Sequence, residues 1–322
     1  MVSTHRVEVI RIQEIEKHPN ADKLGIVRIF GYTVCVRLGD FQEGDLVAYI
    51  VPDSIVPDSP LFSFLDGHYR IRVKRLRGIM SQGLLIKAPD GAKEGDDVAE
   101  ILGVTRYEPP LPGASGGEAE KPPRGIYPVY DVESWYRYKH LLVPGEEVII
   151  TEKIHGANGI FLWQDGRMYC GSRTEWKKEN KNNLWWQALR QSSWLENFCR
   201  DHSDICVYGE VFGQVQDLKY GTRDGEILFR TFDLCRNGQW INFKEVCEIF
   251  SVNVGASPWV PIIAKEPYDE EKIKKFMDGP SHIPGAQHIR EGIVIRPVEE
   301  RTDSEIGRVQ LKVVSNQYLE RS

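Results

Sequence analysis

Four features are missing from this chain, and each absence removes a class of function. No two of its six cysteines (Cys35, Cys170, Cys199, Cys206, Cys235, Cys247) are spaced C-x-x-C, which excludes a zinc ribbon or a disulfide framework and fits a reducing cytoplasm. No apolar run reaches the length of about 18 residues that a membrane-spanning helix needs, so no membrane partner is expected. The opening residues alternate apolar and charged, unlike a signal peptide. There is no G-x-x-x-x-G-K-[ST], so a bound nucleotide would need another cradle than a P-loop. Positive charge is also short: 41 Lys and Arg face 47 Asp and Glu, for a net charge of -6. Any nucleic-acid binding must then come from local patches.

What is present is ample core material. With 322 residues and 41% hydrophobic side chains, the chain has room for two domains. A stretch at 109–125, rich in Pro and Gly and without periodicity, reads as the linker between a module at 1–108 and one at 126–322. The first module alternates apolar and polar residues over 7–12, 25–29, 32–38 and 45–51. Polar turn clusters such as His18-Pro19-Asn20-Ala21-Asp22 separate these segments, predicting a small OB-like β-barrel. The run His18 to Leu24 resembles the opening of OB-fold tRNA-binding modules, which supports the fold more than tRNA as the ligand. The second module predicts strands at 147–154, 159–163, 167–171, 205–211, 227–233, 292–296 and 308–314. Helices are predicted over 182–199 and 269–276. The class is α+β: antiparallel sheets with flanking helices.

Lys153 ends the apolar segment 147–151, and Gly156 follows three residues later. A lysine at a buried strand end beside a tight turn is placed to act as a covalent nucleophile. A lone K-x-x-G is usually an ordinary strand-to-loop lysine, so its company decides. Five further elements follow in order: Arg173 after a strand, Glu210 between Gly209 and Gly213, Phe232-Asp233 at a strand end, Glu291 before a β-branched strand, and Lys312 in the last strand.

This ordered set resembles the covalent nucleotidyltransferases, the polynucleotide ligases and mRNA capping enzymes. Within them it is most similar to ATP-dependent RNA ligases that seal nicks and carry an N-terminal OB module. His155 stands where DNA ligases and capping enzymes usually carry aspartate, and Asn158 and Arg173 also match. The segment 75–84 resembles that subgroup's N-terminal module. The resemblance implies three steps. Lys153 attacks the α-phosphorus of ATP to form lysyl-AMP, AMP passes to an RNA 5′-phosphate, and a 3′-hydroxyl displaces it. It implies Glu210 and Glu291 as holders of Mg2+ or Mn2+, through water. Phe232 would stack on adenine, and Glu152, Ile154, Gly156, Asn158, Arg173 and Lys312 would line the ATP site. His155 would serve the AMP-transfer step, and Arg173 could also meet the RNA 5′-phosphate. Attack requires the neutral amine, which burial and the Lys312 cation would favour. One departure stands out: the last motif usually reads K-x-K, and here Val314 takes the second position, with Gln310 on the other side of Lys312.

Arg70, Arg72 and Lys74 alternate with Ile71 and Val73, which on a strand puts three cations on one face as a track for RNA phosphates. The expected protein is thus a monomeric RNA ligase acting on 3′-hydroxyl and 5′-phosphate ends at nicks. Two other readings compete. A capping guanylyltransferase is disfavoured by His155 and by the lack of an OB domain after Lys312. A non-catalytic RNA-binding protein is disfavoured by the full set of Lys153, Glu210, Glu291 and Lys312.

Overall fold

The computed structural model describes residues 5–107, 117–253 and 258–321. The described residues form two compact units, one of residues 5–107 with 319–321 and the other of 117–253 with 258–318. Residues 109–116 of the expected linker lie outside the described residues. Residues 117–125 are not free chain. Ala119 bridges Lys177, the Glu118 carboxylate meets Lys178 at 2.7 Å, and that of Glu120 meets Arg167 at 2.9 Å.

The N-terminal unit is built from short antiparallel strands. Leu46–Ile50 sits between Glu8–Arg11 and Leu84–Lys87, and Leu24–Ile29 sits between Glu16–Lys17 and Tyr32–Arg37. Alternation sends Ala48 and Ile50 into one apolar cluster with Val7 and Val9, and Val47 and Tyr49 into another with Val27 and Val34. The turn motif has a structural job: the His18 ring meets the Leu76 carbonyl at 3.0 Å, and the Asn20 amide donates to the Arg77 carbonyl at 3.0 Å. These bonds fasten the hairpin of Lys74–Leu76 and Ile79–Ser81.

The expected cationic strand is corrected by the structure. It breaks after Ile71: Arg70–Ile71 pairs with Ser54–Ile55, whereas Lys74–Leu76 pairs with Ile79–Ser81. Arg70 is ion-paired to Asp53 at 2.7 Å and lies 3.7 Å over the Tyr107 ring. Only Arg72 and Lys74 of the three remain exposed.

The larger unit holds two large sheets and one two-stranded pair. The first runs in the order Glu133–Ser134, Leu311–Val314, Gly292–Pro297, Glu147–Lys153, Ile262–Pro267. The second runs Trp176–Lys177, Arg167–Gly171, Ala157–Gln164, Ile205–Gly213, Ile227–Arg236, Gln239–Trp240. All neighbours are antiparallel except Glu133–Ser134 against Leu311–Val314. The Glu147–Lys153 strand is apolar on both faces because both are covered: Val148 and Ile150 enter the core with Trp135 and Ile293, and Ile149 enters the core with Phe161 and Trp185.

The helix expected over 182–199 is two helices, Leu184–Gln191 and Leu195–Asp201, broken at Ser192. Asn183 caps the first by accepting from the Trp185 and Trp186 amides. Glu270–Phe276 begins after Asp269, which caps it through the Lys272 amide. The strand expected over 308–314 is shorter, Leu311–Val314, because Gly307–Arg308 pairs with Thr302–Asp303. A helix at Phe243–Asn253 and the strand Ile262–Pro267 were not expected.

Candidate active site

The lysine strand belongs to the first sheet, and after Ile154, His155 and Gly156 the chain enters the second. This crossing point gathers the chemistry. Gly156 is needed there, because a Cβ at that position would lie 2.2 Å from the Val211 carbonyl oxygen. Its bare backbone lets the turn press onto the Ile205–Gly213 strand that carries Glu210. Across the second sheet, Asn158 and Glu210 are direct register partners.

Four of the expected residues meet. The Lys153 Nζ lies 2.6 Å from Glu291 Oε2, and the His155 Nδ1 lies 3.5 Å from the same oxygen. Burial pushes Glu291 up, but the adjoining Lys153 and His155 outweigh it and hold the carboxyl at about 2. Glu210 goes the other way. Burial, reinforced by the Glu291 charge and opposed by Lys153, pushes it up to about 8, although an edge of its side chain still reaches solvent. Burial lowers His155, but its hydrogen bond to Glu291 prevails and the imidazole is raised above its ordinary value. Two carboxyls a short distance apart are thus driven to opposite protonation states, a pattern suited to an acid and a charged partner in one site.

Lys312 shares the face of the lysine residue. Register places Thr151, Val294 and Lys312 in one row across three strands, and Lys153, Gly292 and Val314 in the next row. The absent second lysine of the last motif would have stood in the Lys153 row. Gln310, two residues the other way, donates from Nε2 to the Tyr130 hydroxyl at 2.5 Å.

Other expected residues are elsewhere. Glu152 points to the opposite face of its strand, as alternation requires. Its oxygens accept from the Ser281 hydroxyl and the His282 amide, both at 2.6 Å. Ile154 is 3% exposed and belongs to the core. Phe232 is the extra residue of a bulge, since Tyr208 pairs with Asp233 and Gly209 with Thr231. The bulge turns its ring toward Tyr130, at 4.2 Å between centroids and 30° between planes. Asp233 is buried between Arg296 at 3.1 Å and Arg308 at 2.5 Å, a structural ion network. Arg173 sits in the turn that Ser172 and Glu175 close.

Three residues were not anticipated. Asp217 Oδ1 is 2.8 Å from His155 Nε2, the Tyr318 hydroxyl is 3.3 Å from the same nitrogen, and the Tyr220 hydroxyl accepts the His155 backbone N–H at 2.6 Å. Asp217 and Tyr220 lie in a turn and Tyr318 in the short helix Asn316–Arg321, so no pattern in the sequence marks them as neighbours of His155.

Among the described residues, no group of three or more His, Cys, Asp or Glu side chains forms a ready metal cage. The hard oxygens available are Glu210 and Glu291, beside the buried Asn158 Oδ1, which has no hydrogen-bond partner. Once Glu210 gives up its proton, two carboxylates and an orphan amide oxygen fit a divalent cation that keeps much of its water. Among the described residues, no helix is long and apolar enough to cross a membrane.

Comparison with known proteins gives the family. The family model described as RNA ligase matches residues 146–314, just over half the chain, and an OB-fold domain matches residues 6–88. Solved structures of Naegleria gruberi RNA ligase are similar along the full length. The form with PPi has a TM-score of 0.82 at 25% identity, covering 99% of this chain and 98% of that one. A variant with ATP and Mn has a TM-score of 0.84 at 24% identity, covering 99% of each. Phenylalanine–tRNA ligase beta subunits from two Leptospira interrogans strains match over 108 residues at 29% and 28% identity. This chain spans only 12% of their length.

Proposed function

The chain belongs to the RNA ligase family, and from that premise we propose that it joins RNA 3′-hydroxyl and 5′-phosphate ends at nicks, through AMP carried on Lys153. The observation that supports this most is the meeting of Lys153, His155, Glu210 and Glu291 where the chain crosses between the sheets. Solved structures of the Naegleria ligase hold ATP with Mn, AMP with Mn, or PPi, and we assign ATP and Mg2+ or Mn2+ to this chain.

Glu210 and Glu291 would hold the cation, which when bound supplies charge neutralisation at the phosphates. The chain's own residues do the rest. Lys153 sits on a rigid strand and presents its amine at the end of it, so little reach is lost to motion. Lys312, on the same sheet face, offers a fixed cation to phosphate oxygens. Asn158 offers an unused amide oxygen, Arg173 is the candidate for ribose or the RNA end, and Phe232 offers the aromatic surface for adenine. Six free cysteines, four of them buried, suit a cytoplasmic setting. We take the working unit to be the monomer.

Sealing of a nicked RNA duplex with ATP and a divalent metal tests the reading; failure to seal any RNA end under these conditions sinks it. His155→Ala should keep substantial lysyl-AMP formation while AMP transfer falls about a hundredfold or more. Equal loss in both steps, measured separately, would remove the step-specific role.

The N-terminal unit gives a second prediction. The exposed pair Arg72 and Lys74 is proposed to contact RNA phosphates. Changing both to alanine should flatten the salt dependence of nicked-RNA binding by about one unit of slope per lost contact. Arg70→Ala should leave that slope alone and lower stability, because Arg70 is engaged by Asp53 and Tyr107. A slope that responds to Arg70 and not to the pair would reverse this assignment.

A further inference from the structure

We infer that the turn from Asp217 to Tyr220 is a clamp on His155, with Asp217 the positioning residue for the imidazole and Tyr220 the positioning residue for its backbone. The contacts come from both ends of the turn. Asp217 Oδ1 stands 2.8 Å from Nε2, and the Tyr220 hydroxyl accepts the His155 backbone N–H at 2.6 Å. Neither residue belongs to a strand or helix, so nothing in the regular structure obliges them to meet His155.

The turn is itself braced. Tyr220 has φ +54, a left-handed conformation that a bulky residue adopts only when its surroundings hold it there. Those surroundings are visible. The Tyr220 ring packs edge-on against Phe212 at 4.9 Å and against His288 at 4.6 Å, and its backbone N–H donates to His288 Nε2 at 3.1 Å. Gly221, next in the chain, lies so close to Gly285 that a Cβ would fall 2.2 Å from that carbonyl oxygen. A strained tyrosine fixed on three sides is a rigid post.

The imidazole needs such a post. Glu291, 3.5 Å from Nδ1, is also the partner of Lys153 at 2.6 Å, so it is shared between two cations. The Tyr318 ring packs 5.4 Å from the imidazole, and its hydroxyl is 3.3 Å from Nε2. An imidazole nitrogen has room for one strong partner, and Asp217 is the nearer. With Asp217 holding Nε2, the ring keeps Nδ1 toward Glu291 whichever partner Glu291 favours.

The clamp rests on the ligase reading only for the step His155 serves; the clamp itself is a statement about contacts. The test uses the full chain with Asp217→Ala, Asp217→Asn, Tyr220→Phe, His155→Ala and the double variant Asp217→Ala with His155→Ala, each checked for a cooperative thermal melt. Lysyl-AMP formation and transfer of AMP to a nicked RNA are timed separately. Asp217→Ala should slow the same step that His155→Ala slows, by about tenfold or more. In the His155→Ala background it should add less than about twofold, because its only route to the reaction is gone. Asp217→Asn, which keeps an acceptor, should recover part of the loss. Additive losses, or a loss in the other step, would overturn the clamp.

A second measurement needs no activity. In 15N-histidine NMR of the protein alone, the His155 Nε2–H should be protected from solvent exchange and lose that protection in Asp217→Ala. An unprotected proton in the unaltered chain defeats the clamp even if ligation is intact. A protected proton in a chain that takes no AMP defeats the ligase reading and leaves the clamp standing.

Discussion

Lys153→Ala is expected to abolish covalent labelling by α-labelled ATP and, with it, sealing from ATP, a fall of at least about a thousandfold. The other lysine that register places near Lys153 on that face is two strands away. The neighbouring cation Lys312 stands in the next row of the sheet, separated from Lys153 by the backbone of Gly292 and Val294. Val314, which shares the Lys153 row, has no amine. The strand should fold unchanged, because Lys153 closes its exposed end while Val148, Ile149 and Ile150 hold its core. Sealing by the same variant of an RNA end supplied already adenylated should survive in part, since that substrate enters after the lysine has acted. Undiminished labelling of the alanine variant would move the nucleophile elsewhere.

The second large effect is on stability. Glu210→Gln should stabilise the metal-free chain at pH 7 by roughly 2 kcal/mol while lowering sealing by at least about a hundredfold. The sign follows from the raised carboxyl. With its pKa at about 8 in the folded chain against an ordinary 4.5, the folded state holds a proton that the unfolded state releases. Stability contributed at Glu210 therefore falls as pH rises from 4.5 to about 8. At 1.36 kcal/mol for each pH unit the deficit at pH 7 would be about 3 kcal/mol, trimmed by the solvent that reaches one edge of the side chain. Glutamine keeps the shape without the charge. Glu291 does not confuse the window: its carboxyl is held at about 2, so its contribution is complete above 4.5 and is lost only as pH falls through about 2. Urea midpoints of both proteins from pH 5.5 to 8 read the difference. The gap should widen with pH, and a constant gap would refute the buried-proton account.

The legible part of the site was the part written into strand ends. Lys153, Glu210 and Glu291 each stand within three residues of a glycine and in or next to a β-rich segment, so local pattern and position coincide. Glu152 and Ile154 were expected at the ATP site from the resemblance; the two-residue period of the strand turns Glu152 to the opposite face, and Ile154, just past the strand end, enters the core that Ile149 shares. The same period misled at Arg70, Arg72 and Lys74: alternation was real, but the segment changes partner after Ile71, and a single face no longer exists. The helix Phe243–Asn253 does carry a helical period, with Phe243, Val246 and Phe250 buried three and four residues apart. The strand Ile262–Pro267 has no buried residue in it and forms a sheet edge, where pairing and not side-chain pattern defines the element. Asp217, Tyr220 and Tyr318 reach His155 from turns and a terminal helix, across 62 to 163 residues of chain, and contacts of that kind leave no periodic trace.

The most direct test of the central claim is to incubate the full chain with α-labelled ATP, γ-labelled ATP or α-labelled GTP and a divalent metal, then map any label on the denatured protein. Acid-labile label is expected from α-labelled ATP alone, on the peptide that contains Lys153. Label from GTP would point to a capping enzyme, and no label from any of the three would contradict a lysyl-AMP ligase.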